Sequence, residues 1–181
     1  MPYLHLHVQA GSNKILKAMN RHHTAEHYID LVRQFRLARP DLALSSDFIV
    51  GFPGETDDDF DQTMALVANV TYAQAFSFKY SPRPGTPAAE ENQVDEGVKS
   101  KRLAALQDLL NKQQKEFNES LIGRELPVLF ERKSKIEGQI TGRNPYLQPV
   151  HVYMNETALG ELVTVRVTGA HANSLSAVAL D

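Results

Sequence analysis

Two histidines stand two residues apart in the first apolar stretch, "YLHLHVQAGSN", at His5 and His7. Side chains two apart on a strand lie on one face, so the pair has the spacing of a metal site. A zinc centre needs three or four protein ligands. The second predicted strand adds Asp47, but the third adds only Ser77 and Lys79. We therefore predict that no metal binds here and that His5 lines a polar interior beneath a ligand; a metal hydrolase is the disfavoured alternative.

Three loops rich in glycine, proline and small polar residues carry the other candidate ligand contacts. They span Gln9–Asn13, Gly51–Glu55 and Ser81–Thr86. Glycines allow a close backbone approach to a ligand, and Glu55 can accept hydrogen bonds from an amine or a ribose. The fork of Arg83, held between prolines, suits a carboxylate or a phosphate. The simpler alternative for each loop is a turn at the surface that binds nothing.

The loops follow three predicted strands that alternate with helices. The strands are "YLHLHV", "LALSSDFIVGF" and "YAQAFSFKY", and Ser12, Thr24 and Thr56 are the predicted helix caps. This order predicts parallel strands with right-handed crossovers. Ligands gather at the carboxyl ends of such strands, so the three loops should open onto one crevice.

The pattern changes after Gly123, beyond a long predicted helix over residues 94–121. Five short alternating runs follow, separated by glycine, asparagine and proline, which is typical of a small all-β barrel. The predicted fold is therefore α/β, followed by a five-stranded barrel. We predict one domain over residues 1–119, including the long helix, and a second over residues 120–181.

Composition limits the classes of protein that fit. The chain has no cysteine, so it can build neither a disulfide nor a cysteine-bound iron–sulfur cluster by itself. Its net charge of −3 gives no global case for nucleic-acid binding, which would need local clusters of cations. No apolar run is long enough for a membrane span and no signal peptide is evident, so we expect a cytoplasmic protein that binds no membrane.

Longer stretches resemble a known family. "YLHLHVQAGSNKILKAMNRHHTAEHY", "ALSSDFIVGFPGET" and "AFSFKYSPRPGTPAA" resemble the tRNA methylthiotransferases of the radical S-adenosylmethionine (SAM) superfamily. "GQITGRNPYLQPVHV" and "ANSLSAVAL" resemble the family's RNA-binding β-barrel, the TRAM domain. The resemblance covers essentially the whole chain and implies the second half of a partial (β/α) radical-SAM barrel followed by TRAM. The family usually has proline where this chain has His7, and serine where it has Ala10.

The resemblance implies an activity for the full-length protein. It would insert sulfur into a C–H bond of N6-dimethylallyladenosine beside the tRNA anticodon, and then methylate that sulfur. The implied cofactors are S-adenosylmethionine and two [4Fe–4S] clusters, whose ligands lie outside this chain. The implied partners are the tRNA anticodon stem-loop and the missing N-terminal methylthiotransferase and radical-SAM segments. We predict no activity for the chain alone, and it offers no identified catalytic residue.

The resemblance also implies site residues. The implied contacts to the cofactor are Gln9, Ser12, Asn13, Gly51, Gly54 and Glu55. The implied contacts to substrate in the α/β part, besides His5, are Phe78, Tyr80, Ser81 and Arg83. The implied RNA contacts in the barrel are Arg143, Asn144 and Tyr146. The local cations Arg132, Lys133 and Lys135 are further candidates to contact phosphates. Arg143 would contact a phosphate, and Tyr146 would stack on a base unless it is an ordinary half-buried barrel aromatic.

Two other functions remain open at this point. One is a methylthiotransferase that acts on threonylcarbamoyl-adenosine or on a ribosomal protein. The other is a stand-alone RNA-binding module with a non-catalytic α/β half, which the absence of cysteine favours.

Overall fold

A computed structural model describes residues 1–180 of the chain. These residues form two compact units. The α/β unit comprises Leu4–Gln113, and the barrel unit comprises Gln114 onward together with Met1–Tyr3. Among the described residues, no helix combines the length and apolar character needed to cross a bilayer.

The α/β unit is a three-stranded sheet with helices between its strands. Its elements are β1 (Tyr3–His5), α1 (Asn13–Ala18), α2 (Ala25–Ala38), β2 (Ala43–Val50), α3 (Asp57–Val70), β3 (Gln74–Lys79), α4 (Pro87–Glu90) and the shared long helix α5 (Glu96–Glu119). The sheet order is β1-β2-β3, and β2 and β3 run parallel from Ser45 beside Gln74 to Val50 beside Lys79.

The first strand is shorter than its alternating sequence predicts. Regular pairing ends at His5, although Gln9 still forms a parallel bridge with Phe48. Gln9 adopts a positive φ of 77°, a conformation that turns the backbone out of the extended path. The chain therefore leaves the sheet at Gln9 and enters α1 within four residues.

The three predicted helix caps are confirmed. The side chains of Ser12, Thr24 and Thr56 each accept a hydrogen bond from the first turn of their helix. Thr56 and Asp59 form a reciprocal capping box at the start of α3. These caps fix where α1, α2 and α3 begin, and hence the lengths of the loops before them.

The core of the α/β unit lies between the sheet and its helices. Phe48, Tyr72, Val67 and Leu106 are almost completely buried in it. The Tyr72 hydroxyl donates to the Tyr28 hydroxyl at 3.1 Å, and the Tyr28 hydroxyl donates to the backbone carbonyl of Leu6 at 3.0 Å. Burial raises the pKa of both phenols, so they stay neutral and act as hydrogen-bonding core residues.

The barrel unit is closed, as predicted. Its strands are β4 (Glu125–Lys133), β5 (Gln139–Arg143), β6 (Pro149–Tyr153), β7 (Leu162–Ala170) and β8 (Leu175–Ala179), with a short 3-10 helix at Glu156–Ala158. The order around the barrel is β4-β5-β6-β8-β7, in which only β6 and β8 run parallel. Val128, Phe130 and Ile140 are among the buried interior residues. The predicted fold class, α/β followed by a five-stranded barrel, is therefore confirmed.

Candidate functional site

An open cavity of about 1000 Å³ lies at the carboxyl ends of the three strands of the α/β unit. Gln9 follows β1, Phe52 follows β2 and Ser81 follows β3, and all three line the cavity. The structure thus brings the three predicted loops together at one crevice. Small-molecule sites have volumes of roughly 300–1,000 Å³, so the space suits a nucleoside-sized ligand.

The cavity lining combines aromatic rings with two guanidinium groups. Phe52 and Tyr80 pack edge to face with ring centroids 4.8 Å apart. Phe78, 54% exposed, adds a third ring, and Arg21 and Arg83 supply positive charge. Rings offer a surface for a planar base, and guanidinium groups pair with carboxylates or phosphates. The lining therefore suits an anionic ligand that carries an aromatic base.

Five of the predicted contacts lie at this cavity and six others in the α/β unit do not line it. Those at the cavity are Gln9, Phe78, Tyr80, Ser81 and Arg83. Those away from its lining are His5, Ser12, Asn13, Gly51, Gly54 and Glu55. The structure gives most of the second set other partners.

Glu55 is buried and holds the glycine loop together. Its Oε2 accepts hydrogen bonds from the Gly51 backbone N–H at 2.6 Å and from the Arg102 guanidinium at 2.8 Å. Burial raises the pKa of Glu55, opposed by the bonds from Gly51 and Arg102. Gly51 has a φ of 71°, and a Cβ there would lie 2.4 Å from the side chain of Lys99. The loop is thus internally fixed and presents Phe52, rather than Glu55, to the cavity.

Asp59 ties the first and second loops together. It accepts hydrogen bonds from the Ser12 hydroxyl at 2.6 Å, from Lys14 at 2.7 Å and from Thr56. Burial alone would raise the pKa of Asp59, but the bonds from Lys14, Ser12 and Thr56 outweigh it and hold the pKa well below its usual range. Asn13 in turn donates to Glu26 on α2. Ser12 and Asn13 are therefore occupied in positioning the loop.

His5, His7 and Asp47 form a separate cluster on the sheet. His7 Nδ1 lies 2.6 Å from Asp47 Oδ2, and His5 Nε2 lies 3.4 Å from the same oxygen. The two imidazole rings are 4.3 Å apart and nearly perpendicular. The His5 ring also lies 6.4 Å from the exposed ring of Phe76.

In the barrel unit the structure places two predicted RNA contacts in the interior. Tyr146 is only 7% exposed, and its ring and that of Phe117 pack in a T-shaped arrangement with centroids 5.4 Å apart. Asn144 is buried, and its side-chain Oδ1 accepts hydrogen bonds from the backbone N–H groups of Tyr146 and Gln148. A base cannot stack on a ring whose face is covered. The stacking prediction for Tyr146 is therefore disfavoured, and the half-buried aromatic alternative describes it better.

The predicted cations of the barrel unit lie at its surface. Arg132, Lys133 and Lys135 follow one another along the exposed end of β4 and the loop after it, and Lys133 pairs with Glu156. Arg143 is exposed but donates to the Leu147 carbonyl at 2.6 Å and lies 3.8 Å from Glu131. Arg132 and Lys135 are therefore the less constrained candidates for a phosphate.

Sequence reasoning missed three residues of the two units. Arg102 bridges Glu55 and Asp57, and its position on the long helix gave no signal beyond helical spacing. Arg21 lines the cavity just after α1. His151 faces Thr141 across β5 and β6 at 2.9 Å; burial first, then His171 and Arg132, lowers its pKa. Only the cross-strand register, which the sequence does not give, pairs His151 with Thr141.

Family comparisons agree with both units. Residues 1–67 match the family model described as Radical SAM superfamily, and residues 119–180 match the TRAM domain. The class is therefore a segment of a radical SAM protein joined to a TRAM domain. Within that class, the resemblance to the tRNA methylthiotransferases is confirmed by relatives that match nearly the whole chain.

Two curated relatives share one name. The tRNA-2-methylthio-N(6)-dimethylallyladenosine synthase of Maricaulis maris (strain MCS10) is 62% identical over 177 residues, which is 97% of this chain. The synthase of the same name from Agrobacterium fabrum (strain C58 / ATCC 33970) is 58% identical over 178 residues, or 98% of the chain. The chain spans only 39% of the length of each relative.

A solved structure shares the fold alone. It is coproporphyrinogen III oxidase (HemN) from Escherichia coli, described as a radical SAM enzyme. The match has a TM-score of 0.52 and 21% identity, and covers 62% of this chain and 27% of that one.

Proposed function

We propose that this chain is the carboxy-terminal portion of a tRNA methylthiotransferase. The whole protein would convert N6-dimethylallyladenosine, next to the anticodon, to its 2-methylthio derivative. The observation that carries the proposal is the 62% identity with a synthase of that name, which extends through both units rather than one. A shared barrel alone would indicate only RNA binding, and a shared α/β unit alone would indicate only the superfamily.

The cavity of the α/β unit is the proposed place for S-adenosylmethionine or the target adenosine. Phe52, Phe78 and Tyr80 offer faces for an adenine ring, and Arg83 can pair with a carboxylate or a phosphate. Glu55 and Asp59 act at a distance, because they fix the loops that carry Phe52 and Gln9. When bound with its cluster, S-adenosylmethionine supplies the radical chemistry that attacks a C–H bond.

The residues of this chain do not fit an iron–sulfur cluster. Such clusters are held by thiolates, and the 181 residues include no cysteine. We propose that the clusters bind to the part of the whole protein that this chain does not span. The chain by itself would then bind ligands without turning them over.

The barrel unit is the proposed contact with the anticodon stem-loop. Loop bases that are splayed out are the form in which RNA is read, and backbone contacts need local cations because the net charge is negative. Arg132, Lys133 and Lys135 supply three cations in one exposed stretch. We also propose that the two domains divide near residue 120, a few residues after the split between the compact units at Gln113 and Gln114. The proposed location of the protein is the cytoplasm.

The proposal can be tested in cells that lack their own methylthiotransferase. Expression of the whole protein should restore 2-methylthio-N6-dimethylallyladenosine, measured by mass spectrometry of digested tRNA, whereas the 181-residue chain alone should not. Phe78→Ala in the whole protein should lower the product. Leu37→Ala, on an exposed face of α2, is the matched control and should leave it unchanged.

Three outcomes would contradict the proposal. Whole protein that is folded and expressed, yet yields no methylthiolated adenosine, would remove the activity. Methylthiolation of threonylcarbamoyl-adenosine or of a ribosomal protein instead would reassign the substrate. Activity of the 181-residue chain alone would show that the missing segment is dispensable.

A further inference from the structure

The cluster of His5, His7 and Asp47 arises from the way residues 3–9, which begin with β1, pair with β2. The Leu6 backbone N–H donates to the Ser45 carbonyl at 2.8 Å, and the Gln9 N–H donates to the Asp47 carbonyl at 3.0 Å. This register sets both histidines beside Asp47 on one face of the sheet. Three side chains from two strands therefore meet, although 40 residues separate them in the sequence.

We propose that His5, His7 and Asp47 bind a divalent transition-metal ion of the zinc class. Imidazole nitrogens and a carboxylate oxygen are the donors such ions take in sites with three protein ligands. One donor atom from each of the three residues lies within 4.8 Å of the others. The prediction of no metal rested on the absence of a ligand from β3, but Asp47 of β2 already completes a set of three.

The distances suit a metal after one small movement. At zinc bond lengths, two ligand atoms of a tetrahedral centre lie roughly 3.3 Å apart. His5 Nε2 and Asp47 Oδ2 are at 3.4 Å, whereas His7 Nδ1 and Asp47 Oδ2 are at the shorter distance of a direct hydrogen bond, 2.6 Å. The His7 side chain is 52% exposed, so it can withdraw by the required amount.

The structure also supplies an outer contact that orients one ligand. His5 Nδ1 lies 2.8 Å from the hydroxyl of Ser45, which is completely buried. If Nδ1 carries the proton and donates to Ser45, Nε2 is left unprotonated and faces Asp47. Metal-binding histidines commonly donate their second N–H in this way, and the contact fixes both the tautomer and the ring.

Three protein ligands leave a further coordination position open. Closed structural zinc sites have four protein ligands, whereas sites with three keep a place for water or a substrate atom. The His5 and Asp47 side chains are only partly exposed, and that of His7 is half exposed, so solvent can reach the ion. The site therefore has the character of a ligand-binding metal centre. It stands on its own geometry and does not depend on the proposed function.

The test uses the 181-residue chain with zinc chloride as the probe, after treatment with a chelator. Because the chain has no cysteine, bound zinc can only be held by nitrogen and oxygen donors. Competition with a chromophoric chelator should give one zinc per chain. Replacement of zinc by cobalt should give an absorption spectrum that indicates a four- or five-coordinate cobalt ion. That spectrum should lack a thiolate charge-transfer band.

Variants separate this site from other histidines. His7→Ala and Asp47→Asn should each weaken zinc binding by about tenfold or more, and Ser45→Ala by about tenfold. The matched control is His22→Ala combined with His27→Ala, which removes two exposed histidines near the start of α2. This control should leave the zinc affinity unchanged.

Circular dichroism should confirm that each variant is folded. If Asp47→Asn or Ser45→Ala does not fold, the half-exposed His7→Ala decides. A folded wild-type chain that binds no zinc would overturn the proposal. So would zinc affinity that is equal in wild type and His7→Ala, or that falls in the control variant instead.

Discussion

The two units differ in whether the edges of their sheets are paired. In the α/β unit, β1 and β3 each have β2 as their only neighbour among the described residues, so the three-stranded sheet is open on both sides. In the barrel unit, every strand has two neighbours. An open edge presents unpaired backbone groups, whereas closure removes edges altogether. The barrel is thus self-contained, while the sheet has the form of a part of a larger barrel.

Function follows the same division. The open sheet gathers its polar and aromatic groups at strand ends and on one partly exposed face, where Phe76 and Phe78 have large exposed fractions. The closed barrel fills its interior with packed side chains, so the proposed RNA contacts can lie only on its surface. A binding cavity and a self-sufficient core are therefore found in different units of one short chain.

The largest expected effect is a separation of the two units in unfolding. Urea unfolding of the whole chain should show two steps, with the α/β unit first, because its sheet has edges with unpaired backbone groups whereas the barrel is closed. The first step should expose apolar surface to a hydrophobic dye. A chain of residues 114–180 should reproduce the second step alone, measured by circular dichroism. One cooperative transition for the whole chain would contradict the expected difference in stability between the two units.

A glycine substitution should sharpen the comparison from the barrel side. A Cβ at Gly142 would lie 2.4 Å from the Leu129 carbonyl oxygen and 2.5 Å from Val128. We expect Gly142→Ala to cost about 3 kcal/mol in the second unfolding step only, since the nearest atom is backbone and cannot move aside. Gly169→Ala is the control, because its nearest contact is an ordinary 3.7 Å. Equal midpoints for the two variants would show that the barrel can relax around Gly142.

The pH dependence of stability should distinguish the α/β unit. The pKa of Asp59 is lowered in the folded state by hydrogen bonds that outweigh its burial, so its contribution is complete above the unfolded pKa of about 3.9. That contribution is lost as the pH falls through the folded pKa. Asp59→Asn should therefore cost about 2 kcal/mol in the first step at pH 7, and less below pH ~4. The control is Asp61→Asn, exposed on the same helix. If the difference in stability between wild type and Asp59→Asn instead grows below pH ~4, the lowered pKa of Asp59 is contradicted.

The smallest expected effects concern RNA and the barrel surface. Arg132→Ala should weaken binding of an anticodon stem-loop and lower its salt slope by about one unit or less, because one phosphate contact is lost. Tyr146→Leu, which removes the ring and keeps an apolar side chain, should leave binding unchanged if circular dichroism shows the barrel folded, since the ring is buried against Phe117. Titrations at several salt concentrations would check both. Weaker binding by folded Tyr146→Leu, with Arg132→Ala unaffected, would restore the stacking role.

Local signals in the sequence predict much of this architecture. The caps at Ser12, Thr24 and Thr56 are read from single residues, because each polar side chain closes its own helix turn. The barrel strands are read from alternation, since a closed barrel has one wet and one dry face. Convergence of the three loops follows from parallel topology alone.

The features that the sequence does not predict depend on register and on distant packing. Tyr146 follows an Asn-Pro turn that resembles an exposed loop, but the structure buries its ring, which contacts Phe117 of α5. His7 meets Asp47 because the strand register aligns them, and a shift of one residue would turn their side chains to opposite faces. In the sequence, Asp59 is one of three consecutive aspartates, Asp57–Asp59, at the start of α3. In the structure, it is the one of the three that accepts hydrogen bonds from Ser12 and Lys14.

The position of β8 has a consequence for the order in which the barrel folds. β8 follows β7 in the chain but lies between β6 and β7, where it pairs with β6 in parallel and with β7 in antiparallel orientation. Strands β4, β5 and β6 follow one another in the chain and can pair early, as can β7 and β8. By contrast, β4 must pair with β7, and β6 with β8, across longer separations in the sequence. Pairing of distant segments is slow because the loop entropy is lost before the contacts form. We therefore expect the docking of the β7–β8 hairpin onto β4 and β6 to limit the rate of barrel folding. Substitutions at the buried Leu175 of β8 should slow refolding more than those at exposed Val178.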